Sequence, residues 1–351
     1  MSTDIKIAVH TAENMHKDNY APRWIEFLQS RGIEITTSDF RQTNIVNTLR
    51  QCHGAMWHWL HSPDDKQVAT KIIPMLERNL NLAVFPNLNT CWHYDEKVAQ
   101  HYLFDAYDIP KIESWVFWNY DEALQFLHNC TYPFVFKMSV GAGSSNVLKV
   151  ESFAQGKQLL NQIFHQGMFP YTLNEFSKKG NKSIRKALGD IMDAVKYIIT
   201  GHYPALPDYY LPQKNYFYVQ RFIPNNSYDI RVTVIGNRAF GFIRHNREND
   251  FRASGSGNID YTLDHIPMEA VKLAHAISQK CGFQSMAYDF LCTSNGSIVV
   301  NEISYCYVST AVYNCPGYWD RDLVWHDGHI WPEHAQAEDF LNNIIANRRM
   351  V

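Results

Sequence analysis

Residues 4–100 alternate short apolar runs with segments of helical period: a run at 5–9, a helix through 24–30, the segments 33–36 and 45–51, a run at 53–59 and a helix around 67–78. This βαβα rhythm predicts a parallel sheet flanked by helices. Gly32 falls where the first long helix should stop, as a helix C-cap does. A further apolar strand at 82–85 ends in the turn signal Pro86-Asn87, which sets a domain boundary near residue 90.

Beyond that boundary the pattern changes. A helix is expected at about 95–107, a strand at 114–118, a helix at 120–129 and a hairpin over 133–150 that is broken by a Gly/Ser-rich turn. Residues 151–215 read as an insertion with one helix near 184–199 and a basic cluster of Lys178, Lys179, Lys182, Arg185 and Lys186. Such a cluster is either a solvated face or a dock for an acidic substrate or anionic polymer. From Tyr216 the chain is strand-rich, with strands at 216–222, 229–235 and 238–245, a helix at 268–281 and a closing pair at 285–292 and 297–303. The expected class is α/β with three parts: a parallel βαβα domain over 1–92, then α+β subdomains over 93–215 and 216–351.

At 351 residues the chain exceeds one ordinary hydrophobic core. Its 46% hydrophobic and 19% charged content is that of a folded globular protein. With 32 Lys+Arg against 35 Asp+Glu, the formal charge of −3 provides no global field for nucleic acid or an anionic membrane. Any anion site must therefore be local. No apolar stretch is long enough for a transmembrane segment and no signal-peptide core opens the sequence, so a cytoplasmic location is expected. The seven scattered cysteines, without a Cys-x-x-Cys pair, fit reduced thiols.

Three clusters carry chemistry. In 134–147 a strand ends at Lys137 and runs into Gly141-Ala142-Gly143-Ser144-Ser145, where glycines let backbone N–H groups approach an anion. An ordinary hairpin tip is the alternative, and the string is neither a Walker A loop nor a Rossmann fingerprint. In the second cluster, Asp229 and Arg231 share one face of a strand, and Arg244, Arg247 and Arg252 follow among glycine and serine. Guanidinium forks of this kind suit phosphate or carboxylate oxygens, with surface ion pairs as the alternative. In the third, apolar residues flank Asp289 and Glu302 on neighbouring antiparallel strands. Two buried carboxylates need a cation or a basic partner, and Mg²⁺ is the hard cation that such oxygens take.

In this order the clusters resemble the ATP-grasp superfamily, particularly its RimK-like carboxylate–amine ligase branch, over roughly residues 90–310. The resemblance implies a domain over 1–92 that precedes the ATP-grasp fold, and two α+β subdomains that clasp ATP. It implies Lys97 and Lys137 as nucleotide lysines and Gly141, Gly143 and Ser144 as part of the loop over the phosphates. It implies Gln220, Arg221, Phe222 and Ile223 as the adenine hinge and Asp229 as a further nucleotide-side residue. Arg231 and Arg252 fall on the phosphoryl and acyl-phosphate side, and Asp289 and Glu302 match the magnesium ligands. Two positions depart from the pattern: Arg221 stands where an acid is usual, and Ser304 stands where Asn commonly completes the metal site, with Asn301 as the neighbouring substitute. The strings around 249–257 and 301–305 are similar to ATP-grasp proteins of bacterial cell-surface polysaccharide clusters.

The implied activity is an ATP- and Mg²⁺-dependent ligase joining a small-molecule or glycan carboxylate to an amine through an acyl phosphate, on a cell-surface glycan or peptide precursor. Two other readings stay open: a kinase phosphorylating a hydroxyl with the same apparatus, and a non-catalytic nucleotide-binding protein of a surface-polymer pathway. No nucleic-acid partner is expected, and a homodimer is left open. His53, His58 and His61 alternate in facing, which argues against a triple-histidine metal site. The loop 10–14 after the first strand is a candidate acceptor contact. Tyr305, Tyr307 and Tyr313 are candidates for lining an acceptor pocket, and Ser144 and Ser145 have no histidine at helpful spacing for hydrolase chemistry.

Overall fold

The computed structural model describes residues 5–13, 15–16, 18–141, 146–170, 212–247 and 257–349. Gly143, Ser144, Arg252, the basic cluster and the helix expected at 184–199 lie outside them. The chain forms two compact units, one of residues 1–94, 102–112 and 223–351, the other of residues 95–101 and 113–222.

The larger unit begins with the expected parallel sheet. Strands β1 (Lys6–His10), β2 (Glu34–Ser38), β3 (Gly54–Met56) and β4 (Ala83–Phe85) lie in the order β2-β1-β3-β4, all parallel. Helix α1 (Ala21–Ser30) connects β1 to β2, burying Trp24 and Leu28 one turn apart, and Gly32 beyond its end takes φ +73. Helices α2 (Ile45–Leu49), α3 (Pro63–Pro74) and α4 (Leu88–Cys91) complete this region. Ser62 precedes Pro63, Asp64 and Asp65, a start signal that places the beginning of α3 four residues before the expected helix.

The smaller unit takes the first residues of α5 (Lys97–Ala106) and an antiparallel sheet in the order β5-β8-β6-β7: β5 (Ser114–Phe117), β6 (Phe134–Lys137), β7 (Val147–Val150) and β8 (Phe217–Arg221). Helices α6 (Tyr120–Asn129) and α7 (Phe153–Asn161) are capped by Asn119 and Ser152, whose side chains accept backbone N–H groups of the first turn. Phe134, Phe136, Leu148, Val150 and Phe217 supply the core beneath them.

The rest of the larger unit is antiparallel. Strands β9 (Tyr228–Ile235), β10 (Arg238–His245), β11 (Ile259–Asp260), β12 (Ser285–Cys292), β13 (Ile298–Ser304), β14 (Gly317–Trp319) and β15 (Trp325–Asp327) run β13-β12-β9-β10-β14-β15, with β11 on β10. Helix α8 (Met268–Cys281) packs on β9, α9 (Ser309–Tyr313) follows β13, and α10 (Pro332–Arg349) closes the chain. Phe340, Leu341 and Ile344 of α10 join Ile5, Ile7, Val9 and Trp24 in one core, so residues 1–94 do not form a separate core of their own. Gly54 permits this contact, because a Cβ there would lie 2.7 Å from Cζ of Phe340. Among the described residues no helix is long and apolar enough to cross a membrane.

Candidate functional site

In the smaller unit the site grows from the junction of α5 with the segment after β6. Lys97 and Lys137 are 4% and 5% exposed. Lys137 ends a strand buried at all four positions. Lys97 opens α5, so its backbone stands at the positive end of a helix. Its Nζ donates to the Gly141 carbonyl at 2.8 Å, and its backbone N–H donates to the Ser139 carbonyl at 2.8 Å. Glu96 accepts the Ser139 hydroxyl at 2.6 Å, Asp95 accepts the Gly141 N–H at 2.7 Å, and the Ser139 N–H donates to the Tyr216 hydroxyl at 2.7 Å. Gly141 is obligatory on two counts: its φ is +114, and a Cβ would lie 2.0 Å from Nδ2 of Asn146. Asn146 Nδ2 in turn donates to the Val140 carbonyl at 2.7 Å. The four residues 142–145 between Gly141 and Asn146 are outside the described set, and Gly143 and Ser144 with them.

The residues expected to form the adenine hinge sit at the end of β8. Gln220 is buried and its amide donates to the Tyr218 hydroxyl at 2.8 Å. Arg221 points outward and pairs with Glu113, while its N–H donates to the Glu113 carbonyl at 2.8 Å. The unusual arginine thus has its counter-charge on the residue before β5. Phe222 has the Lys149 ammonium 4.9 Å from its ring centroid, and the chain passes into the larger unit at Ile223.

In the larger unit the charged residues form a ladder across four strands. Glu302 of β13 is opposite Asp289 of β12, Asp289 is opposite Arg231 of β9, and Asp229 of β9 is opposite Arg244 of β10. Arg231 grips Asp289 with Nε and Nη2 at 2.7 and 2.8 Å. Arg244 grips Asp229 with the same two atoms at 2.8 and 2.6 Å, and its Nη2 also reaches Oδ2 of Asp289 at 2.8 Å. Burial works to raise the Asp289 carboxyl, but the two guanidiniums overcome it and hold the group below the ordinary carboxylate range. Burial and the nearby charge of Asp289 push Asp229 upward, against the pull of Arg244.

The carboxylate pair expected on neighbouring strands is therefore present, but only Asp289 is buried while Glu302 is half-buried, and Asp289 has basic partners as well. A β-bulge after Asp289 leaves Asn301 without an opposite residue and breaks the strand alternation beside Glu302. The Ser304 hydroxyl is committed to a local turn: it donates to the Cys306 carbonyl at 2.6 Å and accepts the Cys306 N–H at 3.2 Å. Arg252 is outside the described residues. Arg244, one of the guanidinium forks expected to suit phosphate or carboxylate oxygens, takes two carboxylates and is the bridge of the ladder.

Several other expectations resolve into packing. His10 is buried, stacks on Trp57 at 4.7 Å and accepts the Phe40 N–H at 3.0 Å, so it is not an exposed loop contact. His53 accepts the Lys6 N–H at 3.0 Å, and His58 stacks on Tyr20 at 3.6 Å. No group of three metal-capable side chains occurs among the described residues. Tyr305 is wholly buried, with its hydroxyl on the Trp59 carbonyl, and Tyr307 bonds Ser285 and Gln336, each at 2.8 Å. Both are core residues rather than pocket lining, because their hydroxyls find internal partners.

No protein-family model matches the sequence, and no curated protein matches it. Solved structures match in fold over nearly the whole chain. The RimK domain ATP-grasp protein from Sphaerobacter thermophilus DSM 20745 is 14% identical, with a TM-score of 0.51 over 96% of this chain and 99% of that one. The D-alanyl-alanine synthetase A from Vibrio cholerae O1 biovar eltor is 13% identical, with a TM-score of 0.55 over 99% and 98%. The D-cycloserine synthetase DcsG is 12% identical, with a TM-score of 0.55 over 95% and 99%. At such low identity the agreement concerns the path of the backbone, and by that path the chain has the fold of these ATP-grasp structures.

Proposed function

We propose that the chain is an ATP- and Mg²⁺-dependent ligase that joins a carboxylate to an amine. The observation that carries the reading is the pair of lysines, Lys97 and Lys137, each nearly buried, in the two segments that the ATP-grasp resemblance assigns to nucleotide. Lys97 already donates to the Gly141 carbonyl, and nucleotide phosphates are charged, stronger acceptors for ammonium groups in these segments. The fold supports it, since synthetases and ligases are among the solved structures that share it.

In this reading Lys97 and Lys137 hold the α- and β-phosphates, and Gly141, Gly143 and Ser144 bring backbone N–H groups to them. Gln220, Arg221, Phe222 and Ile223 take the adenine, with Asp229 on the nucleotide side. Arg231 and Arg252 neutralise the phosphoryl group in transfer. The substrate carboxylate oxygen attacks the γ-phosphorus and ADP leaves. The amine nitrogen then attacks the acyl carbon, phosphate departs with the carbon–oxygen bond pair, and the amine loses a proton. Positioning and charge neutralisation carry such a reaction, which suits a set of Lys and Arg without a dedicated base.

Asp289 and Glu302 offer hard carboxylate oxygens on adjacent strands, a donor set that fits Mg²⁺. They would hold the ion with Asn301 as the third donor in preference to Ser304, whose hydroxyl is engaged by the backbone. When bound, the ion neutralises phosphate oxygens. The acid is a small-molecule or glycan carboxylate. Incubation with ATP, Mg²⁺ and candidate acids in the presence of hydroxylamine tests the reading, because an acyl phosphate yields a hydroxamate. ADP formed with a phosphoester and no hydroxamate would make the chain a kinase, and absence of turnover with intact ATP binding would make it a non-catalytic binder. Arg252→Ala is expected to leave ATP affinity within a few-fold and to lower turnover by about 10²-fold, the scale of losing one transition-state donor.

A further inference from the structure

We propose that Arg231 makes cation binding at Asp289 conditional on nucleotide phosphate, by holding the carboxylate until a phosphate oxygen takes its guanidinium away. The inference rests on the ligase reading and adds to it an order of events at the same ladder. Both oxygens of Asp289 are already occupied: Oδ1 by Nε of Arg231 at 2.7 Å, and Oδ2 by Nη2 of Arg231 and Nη2 of Arg244, both at 2.8 Å. Two carboxylates, Asp229 and Asp289, face two guanidiniums, so this part of the ladder is electrically balanced as it stands. A divalent cation arriving alone must displace a charge-assisted hydrogen bond and sit beside two fixed positive charges. A nucleotide phosphate reverses that balance, since it brings several negative charges and paired acceptor oxygens for a guanidinium fork.

The two arginines are not equivalent. Arg244 bridges both acids and its side chain is 8% exposed, whereas the Arg231 side chain is 17% exposed and forks Asp289. Moving Arg244 would take from the buried Asp229 the guanidinium that grips both its oxygens, beside a second carboxylate. Moving Arg231 leaves Asp289 with Arg244 still attached. Arg244 is thus a positioning residue that stays, and Arg231 is the group that exchanges.

The probe is Mn²⁺ alone, followed by electron paramagnetic resonance with the full chain and no nucleotide. Wild type is expected to bind Mn²⁺ at least tenfold more weakly than Arg231→Met, and Arg231→Gln should match the Met variant, whereas Arg231→Lys, which keeps a positive charge, should stay near wild type. Adding Asp289→Asn to Arg231→Met should abolish the gain, which ties it to this carboxylate. In parallel, calorimetry of ADP with metal chelated measures the nucleotide site by itself. If ADP binds and wild type takes Mn²⁺ as tightly as the two neutral variants, the exchange is wrong and the nucleotide reading survives. If ADP does not bind, the reading on which the proposal rests falls, and the proposal with it.

Discussion

Lys137 lies at the end of β6, where four consecutive buried residues leave its ammonium little water. Lys137→Ala is expected to weaken ATP by about 1.5–3 kcal/mol, the scale of one charge-assisted hydrogen bond, as read by calorimetry. An unchanged affinity would return the glycine turn to an ordinary hairpin tip. Gly141 permits a sharper test, because two separable effects act on it. In Gly141→Ala the methyl group meets Asn146 Nδ2 and the backbone must hold φ +114 with a Cβ attached, so a cost of about 2 kcal/mol or more in urea denaturation is expected. Asn146→Ala removes the clash but not the backbone strain. The double variant should therefore be less destabilised than the sum of the two single ones, a non-additivity that a double-mutant cycle reads directly.

At the level of strands, the charge ladder depends on register, and part of that register can be read from the sequence. Ile235-Gly236-Asn237-Arg238 is a two-residue hairpin turn, and counting outward from it sets Asp229 opposite Arg244, as found. The partnership of Arg244 was thus within reach of the sequence, where it stood only as a fork for phosphate or carboxylate oxygens in general. The pairing of Asp289 with Glu302 was legible as two acids on neighbouring strands, but the bulge at Asn301 was not, since nothing in an alternating apolar run announces an extra residue. The sharing of Asp289 between Arg231 and Arg244 was equally hidden, because it crosses β9 and depends on the order β12-β9-β10. The C-terminal helix carried a start signal in Pro332-Glu333, yet its union with the first strand is a long-range packing fact that no local pattern contains. Arg244→Met should cost about 3–5 kcal/mol, since it strips the buried Asp229 of the guanidinium that grips both its oxygens and leaves it beside Asp289. Asp229→Asn in the same chain removes one of those charges and should recover part of the loss in a urea titration.

Across the whole molecule, three histidines buried in the larger unit couple its folding to pH. Burial holds His10 down to about 4, His58 to about 3 and His93 to about 4, so all three stay neutral in the folded chain well below their ordinary titration range. The geometry at His58 shows why: its Nδ1 accepts the Tyr20 N–H at 3.2 Å and its ring is stacked on Tyr20, which leaves no room for a second ring proton. In the unfolded chain the same side chains take up protons near pH 6.5. Between that pH and about 4 the unfolded state binds more protons than the folded one, so stability rises with pH across this window and is fully present above it. With three such groups the slope approaches about 4 kcal/mol per pH unit, large against a total stability of about 5–15 kcal/mol. Equilibrium urea unfolding should therefore show a midpoint that is flat above about pH 7 and falls steeply on acidification, with the chain unfolded before pH 4 is reached. His58→Gln keeps an acceptor for the Tyr20 N–H and cannot take a proton, so its slope should drop by about a third, at some cost in stability near neutral pH. A midpoint that is constant from pH 6.5 to 4.5 in the unsubstituted protein would mean that these imidazoles are protonated within the fold, and the packing described around them would have to open to admit the charge.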